Sequence, residues 1–308
     1  MNTKTSPILV TGIHRSGTSW VGKMLATAPE LVTLYEPFNY DYYNPHRCNL
    51  KFPYRYTYIT HENEKQYYEP LKRAIQLHFN IWGNQKTFSF QEWKNILKEK
   101  RNYSYLRSQG HVTLLKDPFA LYSAPWLAKQ FDMQVVVMIR HPAAFAGSIK
   151  RFGWHAPFSD LLAQPLLIRD YLHPFIDKIR LYRTADIIKQ AALLWKIIYT
   201  TVYQYKQQYP HWHFLYHEDI SRFPVERFES LYKALNLTFS LEVVKVIEDH
   251  SNSQNPSSAP EKTSALNFKL NSRVNIWNWK QRLTINEIRQ VRQETSGIWE
   301  LFYTDNDW

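Results

Sequence analysis

ILVTGIHRSGTSW, residues 8–20, runs from an apolar stretch through a glycine-bounded loop into an amphipathic pattern. Ile8 to Thr11 is short, continuous and apolar, which predicts a buried strand. Trp20 with Met24, and Val21 with Leu25, recur at i,i+4, and Pro29 stops the run, so a helix is expected over 16–28. Between them, Gly12 and Gly17 have the Gly-x-x-x-x-Gly spacing of a nucleotide-binding P-loop. A strand–loop–helix turn of this kind aims backbone N–H groups and a helix dipole at a phosphate. A P-loop NTPase would continue with Lys and then Ser or Thr, the Lys reaching the β/γ-phosphates. Thr18 stands in that lysine position, and the cation comes earlier, at Arg15. The departure counts against ATP or GTP hydrolysis with its Mg²⁺ site. It fits a loop that holds one phosphate, with a guanidinium beside the atom being transferred.

Outward from this loop, further short apolar runs alternate with helical patterns. Strands are expected at Leu31–Tyr35, Val112–Leu115, Gln134–Ile139 and Trp212–Tyr216. Helices are expected near 65–82, 90–100, 142–151, 186–208, 224–235, 240–249 and 284–303. The alternation predicts a single α/β domain over residues 1–308, with a P-loop-like, doubly wound parallel sheet flanked by helices. Gln134–Ile139, the most continuous β-branched run, reads as a central strand. Residues 40–110 and 152–185 are irregular insertions between the motif-bearing strands. Residues 251–263, packed with Ser, Asn, Pro and Gln, read as a flexible loop, either a plain surface connection or a lid. In doubly wound sheets, ligands sit outside the carboxyl ends of the strands. Arg140 follows a strand there, and Ser148 lies two turns into the next helix; together they could grip a second phosphate.

The chain has 308 residues, 38 basic and 27 acidic, for a net charge of +11. With 44% hydrophobic and 16% aromatic residues it is too apolar for disorder. One cysteine, Cys48, excludes a disulfide framework and a multi-cysteine zinc site. No apolar run is long enough to span a membrane, and no signal-peptide core precedes the first strand, so a cytoplasmic protein is expected. The positive balance favours an anionic partner without choosing one. His211, His213 and His217 do not form a known ligand set, and no metal is expected.

The two phosphate-binding segments together resemble the sulfotransferase family that uses 3′-phosphoadenosine-5′-phosphosulfate (PAPS). The resemblance rests on TGIHRSGTSW (11–20) and VMIRHPAAFAGS (137–148), with weaker matches at YEPF (35–38), LKDP (115–118) and HEDI (217–220). It implies a single α/β domain and transfer of the sulfuryl group to an acceptor hydroxyl, leaving adenosine 3′,5′-bisphosphate (PAP). Ser16, Gly17, Thr18 and Ser19 would cradle the 5′-phosphate, and Trp20 would stack on adenine. Arg140 and Ser148 would hold the 3′-phosphate, and Arg15 would lie against the bridging oxygen. The loop and the Glu-Pro pair look nearer the carbohydrate and tyrosylprotein branches and their bacterial relatives than the cytosolic small-molecule branch. That branch carries Lys where Arg15 stands, and a Lys-Thr-His where this chain has Lys116-Asp117-Pro118. Its late Arg-Lys-Gly triplet is also missing, and Arg273 is the nearest basic candidate for a third phosphate contact.

By the same resemblance Glu36, at a strand's carboxyl end, is the general base. The alternatives are an ion pair with Arg15 or a cap on Pro37-Phe38. Lys116 either supports the sulfuryl or bridging oxygens in the transition state or is a surface lysine. The favoured acceptor is a carbohydrate or glycolipid hydroxyl. Tyr40, Tyr42, Tyr43, Tyr54, Tyr56 and Tyr58 could stack on sugars or be ordinary packing residues. The rival readings are a P-loop kinase and a nonenzymatic nucleic-acid or glycan-binding protein; dispersed basic residues speak against nucleic acid.

Overall fold

The computed structural model describes residues 5–81, 89–258 and 269–308. Five strands form one parallel sheet: β1 (Ile8–Gly12), β2 (Leu31–Tyr35), β3 (Val112–Lys116), β4 (Gln134–Ile139) and β5 (His213–Tyr216). Their order is β2-β3-β1-β4-β5. The chain starts at the centre, fills one side and then the other, which is the doubly wound arrangement read from the sequence. The register aligns the carboxyl ends: Val10 and Tyr35 both pair with Lys116, and Gly12 pairs with Met138. Residues that follow the strands therefore gather along one edge of the sheet.

The main helices are α1 (Thr18–Leu25), α2 (Tyr68–Ile75), α3 (Phe90–Ser108), α4 (Ala124–Phe131), α5 (Pro142–Phe152), α6 (Ile187–Gln208), α7 (His217–Arg222), α8 (Pro224–Ala234), α9 (Leu241–Ser251) and α10 (Ile285–Glu294). They cover both faces of the sheet. Ile8, Val10, Val136 and Met138 pack with α1, α8 and α9 in one apolar layer. Leu9, Val135, Val137 and Ile139 point into the other, with α4, α5 and α6. A period of two inside a continuous apolar run is what a strand buried on both faces requires.

Several elements are shorter or longer than their patterns suggest. Helix α1 spans 18–25 rather than 16–28, because residues 13–17 are spent on the loop. The pattern over 284–303 holds as a helix only to Glu294; the chain turns at Gly297 (φ 83°) and resumes as a short turn at Trp299–Leu301. The irregular 152–185 segment folds into short helical turns at Phe158–Leu162, Ile168–Leu172 and Ile176–Tyr182, with Pro157, Pro165 and Pro174 near their starts. Residues 252–258 are turns, and 259–263 of the expected flexible loop lie outside the described residues. No helix among the described residues is long and apolar enough to cross a membrane.

His141 sits between β4 and α5 in an aromatic cage. Its ring stacks on Trp279 at 5.3 Å and meets Tyr303 and Trp308 edge-on at 4.9 and 4.5 Å. Both ring nitrogens are buried without partners among the described residues. Burial first, then the cations Lys280, Arg140 and Arg292 against an opposing Asp307, pulls its pKa down to about 3. An unfolded histidine titrates near 6.5, so the unfolded chain binds the proton first as pH falls. Stability is therefore fully present above about pH 6.5 and is lost progressively towards pH 3. Melting temperature against pH should show this slope, and His141→Phe, which fits the cage without titrating, should flatten part of it.

Candidate active site

The loop after β1 turns into α1 through Gly17, whose φ of 102° is left-handed. A Cβ at Gly17 would lie 2.7 Å from His217 Cδ2, so no larger residue fits the loop. The N-terminus of α1 has no side-chain cap and no acid in its first turn. Its leading N–H groups thus have no intrahelical acceptor. They face a cleft of about 680 Å³ at the carboxyl edge of the sheet. Gly17, Thr18, Ser19 and Trp20 line it; Ser16 lies fully buried behind them, its Oγ without a partner among the described residues. Arg140 Nε and His217 Nδ1 are likewise buried and without a partner among the described residues. Buried polar atoms without partners are costly, and a polar ligand in the cleft is one way to satisfy those that reach it.

Arginines converge on this loop. Arg140 is held by its backbone: its N–H donates to Tyr199 Oη at 2.6 Å, and its carbonyl accepts from Trp195 Nε1 at 2.9 Å. Its Nη1 donates to the Arg15 carbonyl. Arg15 Nε donates to Ser148 Oγ at 3.1 Å, and its guanidinium lies 4.4 Å from the Phe152 ring centroid. Arg151 and Arg282 also line the cleft. Burial, then Arg140, Arg151 and Arg282, lowers Arg15 to about 10; burial, then Arg140 and Arg151, does the same to Arg282. Among the described residues Arg15, Arg140 and Arg282 make no ion pair. Mutually repelling, partly desolvated guanidiniums form a surface that an oligoanion would stabilise.

Across the loop from Arg140 stands Glu36, which follows β2 in a left-handed conformation (φ 43°) and is only 7% exposed. Oε1 pairs with Lys116 Nζ, and Oε2 accepts from Asn39 Nδ2 at 2.9 Å. Lys116 is 1% exposed, donates to Ser19 Oγ at 3.1 Å, and lies 3.7 Å from the Tyr35 ring centroid. Its stem passes α1 at Gly22, where a Cβ would come within 2.5 Å of Lys116 Cγ. A surface lysine is therefore excluded at this position. Lys116 does not line the cleft; it faces Glu36 and Ser19. Asp117 is also sealed off, accepting from the backbone N–H groups of Phe38 at 2.6 Å and Phe119 at 2.8 Å. It fixes the turn that carries Glu36.

A sulfotransferase family profile matches residues 7–240. The chain belongs to the sulfotransferase family. Among solved structures it is similar to the sulfotransferase domain of the curacin biosynthetic pathway, at 14% identity, TM-score 0.48, over 96% of this chain and 99% of that one. It is also similar to a mouse sulfotransferase complexed with PAP (11%, 0.48, 98% and 86%) and to a sulfotransferase from Mycobacterium avium (12%, 0.43, 94% and 76%). No curated protein matches it. The activity of this sulfotransferase is sulfuryl transfer in the general sense.

The structure brings Arg15, Gly17, Thr18, Ser19, Trp20, Glu36, Arg140 and Ser148 to one cleft of the sulfotransferase. Trp20 is braced edge-on by Phe228 and His217, at 5.6 and 6.2 Å. Arg273 is exposed and donates to the Arg222 carbonyl at 3.1 Å, and it does not line the cleft. Arg282, nine residues on, does; it lies in a short turn, Trp279–Arg282, with no motif around it to flag it. Asn39 was equally silent. Of Tyr40, Tyr42, Tyr43, Tyr54, Tyr56 and Tyr58, Tyr42 alone is among the lining residues; Tyr56 is fully buried. Glu218 ties the His141 N–H to the Tyr303 hydroxyl, both at 3.1 Å. Among the described residues no three of His, Cys, Asp and Glu are grouped to hold a metal ion.

Proposed function

We propose that this sulfotransferase moves the sulfuryl group of PAPS to an acceptor hydroxyl, a carbohydrate or glycolipid hydroxyl being favoured. The observation that carries the reading is that Arg15, Arg140 and Arg282, partly desolvated and without an ion pair among the described residues, line one cleft with an uncapped helix N-terminus. A nucleotide with two separate phosphates and a sulfate supplies the missing charge at several points. The N–H groups of 17–20, with the hydroxyls of Thr18 and Ser19, hold the 5′-phosphate, and Ser16 supports the loop from beneath. Arg140 and Ser148 hold the 3′-phosphate, joined by Arg282. Arg15 releases Ser148 and turns to the bridging oxygen. Trp20 stacks on adenine.

Glu36 accepts the acceptor's proton as its oxygen bonds to sulfur. The bridging S–O bond breaks, and its electron pair stays on the 5′-phosphate of PAP, where Arg15 offsets the charge. Lys116 serves this step through Glu36 and Ser19, the groups it touches, rather than through the sulfuryl oxygens. The acceptor enters over Asp41, Tyr42 and Arg55 from the first insertion and Trp154, His155 and Pro157 from the second, which line the far wall. Aromatic faces mixed with a carboxylate and a guanidinium suit a hydroxyl-rich body. Thermal shift separates this reading from a kinase: PAP should raise the melting temperature and ATP with Mg²⁺ should not. Protection by ATP–Mg²⁺ alone would overturn it.

A further inference from the structure

His14, one residue before Arg15, is a polar group in the cleft wall with no part in the transfer step. Its ring packs among Phe119 (5.7 Å), Phe145 (5.4 Å) and Trp154 (6.2 Å), so it stands where the nucleotide loop meets the acceptor wall. Tyr56 fixes its tautomer. The His14 backbone N–H can only donate, and it donates to Tyr56 Oη at 3.2 Å. The same hydroxyl lies 2.7 Å from His14 Nδ1. Tyr56 is fully buried, and its single hydroxyl proton has no other acceptor among the described residues. It therefore goes to Nδ1, which leaves the ring proton on Nε2. Nε2 has no partner among the described residues and is not sealed from solvent. Burial, then the charges of Arg15 and Arg55, lowers the imidazole to about 3, so it is neutral at pH 7. Tyr56 itself is held in a left-handed conformation (φ 57°), as are Arg15 and Glu36; such strain persists where packing over-determines the backbone.

A neutral ring that accepts from Tyr56 and donates into the cleft suits a group that only accepts. Sulfuryl oxygens are such a group, and the transferring sulfur must lie between the donor loop and the acceptor wall. We infer that His14 donates its Nε2–H to a sulfuryl oxygen of the bound donor, so that the site distinguishes the sulfated nucleotide from its desulfated product. The inference rests on the PAPS reading. It assigns to His14 a hydrogen bond that is lost when the sulfuryl group leaves, which favours release of PAP.

The test is calorimetric titration of PAPS and of PAP, without acceptor, into wild type and variants. His14→Phe fits the aromatic surroundings and should weaken PAPS by about tenfold while leaving PAP unchanged. Unchanged PAP affinity also shows that the variant is folded. His14→Gln, whose amide nitrogen reaches the Nε2 position, should restore most of the difference, and His14→Asn should not. Proton–nitrogen NMR of the free protein should show His14 as the Nε2–H tautomer, with Tyr56→Phe giving a mixture. Equal loss of PAPS and PAP in His14→Phe, or an Nδ1–H tautomer in wild type, would overturn the inference while leaving the donor reading intact. Wild type binding neither nucleotide would overturn both.

Discussion

Glu36→Gln should leave the protein folded and binding PAP normally, with sulfuryl transfer cut by roughly 10²–10⁴-fold, the range for loss of a positioned general base. The substitution is close to isosteric. Gln keeps an oxygen for Lys116 or Asn39 but cannot take a proton from the acceptor. Glu36 sits in a left-handed backbone, has both oxygens engaged, and is nearly closed to solvent. Such a residue is held for direction. Its partner makes the control: Lys116→Met would leave Glu36 buried without its cation. Loss of one partner of a buried pair costs about 3–5 kcal/mol, so that variant should lose stability as well as rate. A Glu36→Gln enzyme turning over at the wild-type rate would remove Glu36 from the mechanism and leave it a structural anchor for Lys116.

Arg140→Ala should weaken PAP by about 10- to 100-fold, the worth of hydrogen bonds to a charged group. It should cost the free protein little stability. Arg140 is nearly buried, makes no ion pair among the described residues, and depresses the basicity of Arg15 and Arg282. Its removal relieves repulsion while the backbone anchors from Tyr199 and Trp195 stay in place. Isothermal titration gives the affinity and a melting curve the stability. Equal PAP affinity in the variant would sink the 3′-phosphate assignment.

The central strands β1, β3 and β4 were legible because short apolar runs are what burial on two faces demands; the edge strands β2 and β5 are partly exposed and were legible from their place between helical patterns. Leu31–Tyr35 and Gln134–Ile139 come out with the boundaries expected. Helix ends were less legible, since they depend on where the loop takes its residues and where a glycine allows a turn. The site divides in the same way. Arg15, the loop and Arg140 follow strands directly, so topology alone puts them on the carboxyl edge. Arg282 and Asn39 reach the cleft through tertiary packing, and nothing in their neighbours' spacing marks them. Lys116 shows the limit most clearly. Its place at a strand end was readable, but the passage of its stem past Gly22 to Glu36 was not. The +11 charge, which could not choose among anions, now has a local meaning at Arg15, Arg140 and Arg282.

The most direct measurement is incubation of the protein with sulfate-labelled PAPS and separate glycan, peptide and lipid extracts, with products identified by mass spectrometry. The expected result is a labelled sulfate ester in the glycan or glycolipid fraction, matched mole for mole by PAP, and neither with Glu36→Gln. Absence of label transfer to every extract, together with no binding of PAP, would contradict it.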